Sequence, residues 1–353
     1  MSSLPRDEAG PQDPRLEQLR RWLEGLFGTR EFQIAPASAD ASFRRYFRVT
    51  LGDNSWIAMD APPEKEDLGP YIRIAAMLVD MGVNAPQVME RNLAQGYLLN
   101  TDLGSRTYLM DLDAGADADR LYNDAIDSLL RIQARGDAHA RALPPYEDAL
   151  LRREMTLFPE WFCGRHLGLT LHGAEAASLA SVFDVLSAAA LQQPRVFVHR
   201  DYHSRNLMVD VGARHGANPG ILDFQDAVYG PVTYDLVSLL RDCYVAWPLE
   251  RVHRWAERFR AGAQACNVGV GQDEGEFLRW FDLMGVQRHL KAIGIFARLW
   301  HRDGKPGYLK DIPRTLNYVH EVSGNHRELQ FLRSFIDQRV LPTLEHLPSR
   351  VKT

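Results

Sequence analysis

The chain has 353 residues, 45% of them hydrophobic and 25% charged, and a formal net charge of -5. This length exceeds what one hydrophobic core usually organises, and the composition is that of an ordinary globular protein, so two lobes are expected and a disordered or fibrous chain is excluded. A net negative charge without a basic arm argues against nucleic acid as a partner, because binding to a phosphate backbone runs on clustered Lys and Arg.

The opening stretch, Met1 to Arg15, is polar and Pro-rich and lacks the apolar centre of a signal peptide. No uninterrupted apolar run approaches the roughly 20 residues of a membrane span, so no membrane partner is expected and the expected location is the cytoplasm. Cys163, Cys243 and Cys266 lie far apart without metal-binding spacing, which reads as buried free thiols.

Leu16, Leu19, Trp22, Leu23, Leu26 and Phe27 recur at helical spacing and predict a helix over Pro14 to Phe27, with Asp13 as its N-cap and Gly28-Thr29 as its stop. Phe32 to Ala35 reads as a strand, Pro36 to Arg44 as a polar loop, and Tyr46 to Leu51 as a second strand. Gly52-Asp53-Asn54 is a turn and Trp56 to Asp60 a third strand. Pro62 to Asp67 is irregular, a helix follows from about Gly69 to Met81, and strands near Val88 and at Tyr97 to Thr101 complete an antiparallel sheet. Asn100 to Arg106 is the expected link between a first lobe, residues 1–100, and a second, residues 101–353. Further on, helices are predicted near 117–135, 146–165, 173–191, 232–244, 248–266, 274–300 and 326–341, interrupted by a strand pair within Val196 to Asp226. The predicted class is α+β, a small lobe with an antiparallel sheet and a larger, mostly helical one.

The most informative segment joins the apolar run Val196-Phe197-Val198 to a polar loop, His199 to Asn206, and then to a second apolar run. Gly220-Ile221-Leu222-Asp223 repeats the design, two aliphatic residues and then an acid where the strand ends. Phosphoryl transfer requires a carboxylate beside the attacking hydroxyl and oxygen ligands for Mg2+, with little other covalent chemistry. Asp201 and Asn206 stand in the spacing H-R-D-x-x-x-x-N, and Asp223 follows in D-F-Q where protein kinases carry D-F-G.

These motifs resemble the protein-kinase-like superfamily. With no G-x-G-x-x-G loop and no A-P-E segment, the chain is more similar to the aminoglycoside phosphotransferase and choline kinase branch. Within that branch Ala41 to Arg48, Met59 to Glu64 and Gly230 to Asp235 resemble the bacterial kinases of cell-wall recycling, which act on the anomeric hydroxyl of N-acetylmuramate and N-acetylglucosamine. The resemblance spans roughly residues 30 to 310.

That resemblance implies a bilobal protein-kinase-like fold using ATP and Mg2+. It implies Asp201 as the base, Asn206 and Asp223 as metal ligands, and Ser42, Phe43, Arg44 and Arg45 as the loop over the phosphates. Leu99 and Asp102 fall in the family's hinge, where backbone groups would contact the base. The product would be a sugar 1-phosphate, convertible to a UDP-sugar for peptidoglycan. One departure is that Met59 occupies the place of the third-strand Lys. Either Arg44, Arg45 or Lys65 supplies the missing charge, or the protein binds nucleotide without catalysis.

The substrate site is expected in the helical lobe beside Asp201. From Trp247 to Thr353 there are 17 Lys and Arg against 12 Asp and Glu, which suits a neutral or anionic sugar better than a polycationic aminoglycoside. Candidate sugar contacts are His203, Arg205, Glu154, Arg165 and Lys291. The helix bearing Gln287, Arg288, His289, Lys291 and Arg298 could read the lactyl carboxylate of N-acetylmuramate, or be a solvated face. Trp161 and Phe158 could stack on a sugar or fill the core. Asp235 reads as support for a helix start or for the catalytic loop. Competing readings are a transition-metal site on His199, Asp201 and His203, a kinase for an aminoglycoside, choline or another small alcohol, and a pseudokinase. The oligomeric state stays open, a monomer being compatible.

Overall fold

The computed structural model describes residues 13–39, 43–209 and 218–346. Contacts divide the chain into two compact units: residues up to 76 with 86–105, and residues 77–85 with those from 106 on.

The first unit opens with α1 (Pro14–Phe27), whose start is capped by the Asp13 carboxylate accepting the Leu16 N–H at 3.1 Å. Gly28 ends it at φ 66°, in the left-handed region that glycine adopts without a Cβ clash. Strands β1 (Gln33–Ala39), β2 (Arg45–Leu51) and β3 (Asn54–Asp60) precede α2 (Gly69–Asp80), and β4 (Val88–Asn92) and β5 (Tyr97–Thr101) follow it. The sheet is antiparallel in the order β1-β2-β3-β5-β4. Leu19 and Leu23, one helical turn apart and fully buried, pack with Phe32, Phe47, Val49, Ala58, Tyr97 and Leu99. Burying a leucine this completely stabilises the unit by about 1.5–3 kcal/mol.

β1 runs through Pro36, where a loop is expected from the sequence. Pro36 lies opposite Phe47 on an edge strand, and the register shifts between Pro36 and Ser38. An edge with a bulge is where a residue lacking an N–H can sit in a sheet.

In the second unit α3 (Tyr108–Asp113), α4 (Ala118–Gly136), α5 (Asp148–Met155) and α6 (Ala174–Leu191) lead to β6 (Arg195–Val198). The two-residue strands β7 (Leu207–Met208) and β8 (Gly220–Ile221) pair with each other, and β9 (Val228–Pro231) returns beside β6. Helices α7 (Tyr234–Leu240), α8 (Leu249–Ala265), α9 (Glu274–Asp303), α10 (Ile312–Asn325), α11 (Gln330–Phe335) and α12 (Leu341–His346) complete it. The 30-residue α9 is the spine, packing against α5, α6, α7 and α10.

The helix expected over 146–165 is broken. α5 stops at Met155, and Phe158–His166 winds as a wider π-type turn. Pro159 has no N–H to return to the carbonyl one turn back, so a regular helix cannot continue. This turn lies against α9 at Gly294, where a Cβ would stand 2.4 Å from the Leu157 carbonyl carbon.

One helix and one cysteine bear on two further expectations. α6 is 18 residues long with a mean hydropathy of 1.4, long and apolar enough to cross a membrane by length and composition, even though Glu175 and Asp184 interrupt its apolar run. Its Leu179, Val182, Phe183, Leu186, Ala189 and Ala190 are buried within this unit. Cys163 and Cys243 are buried free thiols, whereas Cys266 is exposed.

Candidate active site

β6 ends at Val198, and the next two backbone amides are gripped by one buried carboxylate. Asp235, at the start of α7, accepts the His199 N–H at 2.6 Å and the Arg200 N–H at 2.9 Å. Burial pushes its carboxyl up to about 7, against the pull of those two bonds. Arg200 is left-handed at φ 79°, a costly state for a non-glycine residue. Its guanidinium is held by Glu154.

The loop then closes on itself. The Asp201 carbonyl accepts the His203 N–H at 3.1 Å and the Asn206 Nδ2 at 3.0 Å, and the His203 carbonyl accepts the Asn206 N–H at 2.9 Å. Asp242, buried, takes the amides of Ser204 and Tyr244, each at 2.9 Å. Pairing of Leu207 with Ile221 sets Asn206 against the residues leaving β8, so that Asn206 Nδ2 is 3.4 Å from Asp223 Oδ2. Asp223 is also left-handed, at φ 62°, and Gln225 donates to its Oδ1 at 2.9 Å. Asp201, Asn206 and Asp223, separated in sequence by up to 22 positions, thus form one cluster.

Positive charge converges on Asp201. Burial alone would raise its carboxyl, but Lys291, with Arg288 and Arg200, holds it below the usual carboxylate range. Asp201 is therefore ionised at neutral pH and can accept a proton.

Beneath it lies a buried network. Glu154 accepts from Tyr146 Oη, from Arg200, from Lys291 Nζ at 3.1 Å and from Gln287 Nε2 at 3.3 Å, and Lys291 also donates to Tyr234 Oη at 3.0 Å. Glu154 and Lys291 are thus committed to each other and to the catalytic loop. The face carrying Gln287 and Lys291 is interior, not solvated.

The remaining expected sugar contacts divide. His203 is buried, its ring edge-on to Tyr244 at 5.3 Å, and Arg205 lies over the Tyr244 ring at 4.6 Å and the Tyr308 ring at 5.4 Å. Arg165 goes elsewhere: it is exposed on the 158–166 turn, over the Trp161 ring at 5.9 Å. The transition-metal reading fails on geometry. His199 Nδ1 accepts the Asp201 N–H at 3.2 Å, and among the described residues no three His, Cys, Asp or Glu side chains are grouped to hold an ion.

In the first unit Ser42 lies outside the described residues. Phe43 is 59% exposed, with its N–H 3.3 Å from the Glu66 carboxylate and Lys65 Nζ 4.5 Å from its ring centroid. Arg45 is bound by Asp13 and by the buried Asp60, so its charge is already matched within this unit. Met59 is fully buried between Tyr46 and Leu98. Leu99 sits in the interior of the sheet, and the Asp102 carboxylate receives Arg48 at 2.6 and 3.0 Å and the Gly104 N–H at 2.9 Å. Any hinge contact from these two residues is confined to the main chain.

A model of the phosphotransferase enzyme family matches residues 33–280. The chain belongs to that family. This phosphotransferase is 48% identical over 92% of its length to a protein of Pseudomonas putida named N-acetylmuramate/N-acetylglucosamine kinase, covering 96% of that protein. Proteins of the same name from Pseudomonas aeruginosa and Neisseria meningitidis are 46% and 42% identical, covered over 94% and 95% of their lengths by 90% and 92% of this chain. Among solved structures, the GDP complex of aminoglycoside 2'-phosphotransferase-IIIa superposes with a TM-score of 0.58 at 17% identity, over 89% of this chain and 99% of that one. Spectinomycin phosphotransferase with ADP and spectinomycin gives 0.56 at 12% identity, over 86% and 93%. The fold is the protein-kinase-like fold of these enzymes, as expected from the motifs.

Sequence reasoning about the phosphotransferase assigns no role to Tyr146, Tyr234 or Asp242, and names Arg288 only as one of five residues on a helix that could read the lactyl carboxylate. Only the three-residue step from Arg288 to Lys291, which puts both near one helical face, points to Arg288.

Proposed function

We propose that this phosphotransferase transfers the γ-phosphate of ATP to the anomeric hydroxyl of N-acetylmuramate or N-acetylglucosamine, with Asp201 as the base. The observation that carries this reading is an ionised Asp201 among Lys291, His203, Arg288 and Arg200. Arg200 and Lys291 already answer Glu154, so the preference for a neutral or anionic acceptor is carried by Arg288, which has no ion pair among the described residues. The names of relatives at 42–48% identity agree with it.

Asn206 and Asp223 would hold Mg2+. Both offer hard oxygen atoms, and a site with only two such side chains suits an ion that keeps water and takes its other ligands from phosphates. When bound, the ion supplies charge neutralisation for the phosphoryl oxygens. Asp201 would take the proton from the sugar hydroxyl, while Asp235 fixes the loop that carries it. Phe43 and Arg44, with Ser42, would cover the phosphates, and main-chain groups near Leu99 and Asp102 would meet the base. The sugar 1-phosphate would be consumed in the cytoplasm by a nucleotidyltransferase on the way to peptidoglycan.

The test is ADP release from Mg-ATP with N-acetylmuramate, N-acetylglucosamine, kanamycin and choline, and 31P NMR of the product. An anomeric phosphate on either amino sugar is expected. Turnover with kanamycin or choline alone would overturn the substrate, and nucleotide binding without turnover on any acceptor would favour a pseudokinase.

A further inference from the structure

Arg288 lies on the interior of α9 with 6% of its surface exposed. Its Nε is buried without a hydrogen-bond partner, and the nearest polar contact of Nη1 is the Cys243 sulfur at 3.8 Å. Other enclosed cations of this unit meet carboxylates: Arg200 and Lys291 pair with Glu154, and Arg241 with Asp282 at 2.8 Å. Among the described residues Arg288 has no ion pair. A buried guanidinium without a counter-charge is expensive, and is retained where something supplies the missing anion. Burial works against its charge, and the carboxylates of Asp201 and Asp242, neither of them in an ion pair with it, work in its favour.

A second observation points to the same spot. His203, 9% exposed, has a buried Nδ1 without a partner, and its neutral form is favoured by burial and by the charges of Arg288 and Arg205. The Arg205 guanidinium is held flat by Tyr244 and Tyr308 and likewise forms no ion pair among the described residues. Arg288 and Arg205, whose charges both bear on His203, thus lack one ligand: an anion.

The geometry points to Arg288, assisted by Arg205, as the reader of the lactyl carboxylate of N-acetylmuramate, a contact that N-acetylglucosamine cannot make. This rests on the function proposed above. Arg288 then sets preference between the two sugars, whereas a residue serving only to keep Asp201 ionised would affect both equally.

The decisive comparison needs no variant at first: kcat/KM of the native enzyme for N-acetylmuramate and for its lactyl methyl ester, with N-acetylglucosamine alongside. One charge-assisted hydrogen-bonded pair corresponds to about 10–100-fold, so the acid is expected to exceed the ester by that factor, chiefly through KM. In Arg288→Met the acid-to-ester ratio falls toward one, whatever loss the three substrates share. Arg205→Met, a change at an exposed side chain, lowers the ratio by about 3–10-fold and serves if Arg288→Met does not fold. Equal rates for acid and ester in the native enzyme, or a ratio untouched by a folded Arg288→Met, would sink the inference while leaving the sugar kinase standing. Failure to phosphorylate any of the three would remove the proposed function and this inference with it.

Discussion

The two units handle buried charge in opposite ways. In the first, Arg15 and Arg45 converge on Asp60, and Arg48 on Asp102, so that cations and carboxylates cancel within the sheet they brace. Around the catalytic loop of the second, Glu154 alone answers Arg200 and Lys291, while Arg288 has no ion pair among the described residues and Arg205 leans on two tyrosines. Matched charges make a frame and leave little field. Unmatched ones leave cations open to anionic reactants, and the fold bears the desolvation cost until they arrive.

The largest effect that would test this contrast is on chemistry. Asp201→Ala should lower kcat by about 10²–10⁴-fold, the range of a lost general base, while nucleotide affinity stays within about twofold. Calorimetric nucleotide titration beside the turnover assay checks both halves, and retained turnover would remove Asp201 from the mechanism. Next comes stability. Glu154→Ala leaves Arg200 and Lys291 buried without their counter-charge and should cost about 3–5 kcal/mol in denaturant unfolding.

A pH effect of about 4 kcal/mol across its whole range, about 3 of it between pH 5 and pH 8, should follow from Asp235. Its folded carboxyl, raised by burial to about 7 from an ordinary 3.8, binds a proton more tightly than in the unfolded chain. That stabilisation is fully present below about pH 4 and is lost as pH rises toward 7. Relative to Asp235→Asn, the native protein should therefore lose melting temperature between pH 5 and pH 8; parallel curves would show that Asp235 does not titrate there. The smallest effect belongs to the first unit. Asp60→Ala should cost only about 1–2 kcal/mol, because Arg15 and Arg45 are partly exposed and can turn to water. A loss matching that of Glu154→Ala would end the distinction between frame and field.

Part of this architecture is legible in the sequence. The cap and stop of α1, the alternation of β2 at Phe47 and Val49, and the spacing that joins Asp201 to Asn206 all involve neighbours within a few residues, so local sterics and hydrogen bonding declare them. Pro36 misleads because a proline is a strand breaker only until the strand is known to be an edge. The helix over 146–165 misleads because a favourable run of apolar residues outweighs, on periodicity alone, the single break that Pro159 imposes.

What the sequence by itself determined, then, are the elements with short-range signals and the chemistry of the catalytic loop: which acids and which amide stand at two strand ends. Only the tertiary structure decided which charges surround them. Glu154 meets Gln287 across 133 positions and the Arg200 amide meets Asp235 across 35. Along α9 every residue from Leu283 to Lys291 is buried, so Gln287, Arg288, His289 and Lys291 have no polar face to announce, and their sequence alone leaves a carboxylate reader and a solvated face both open. Periodicity reports burial only when one side of a helix faces water. A helix enclosed on all sides carries its functional residues silently, and their pairing or isolation is fixed by whatever the rest of the fold brings against them.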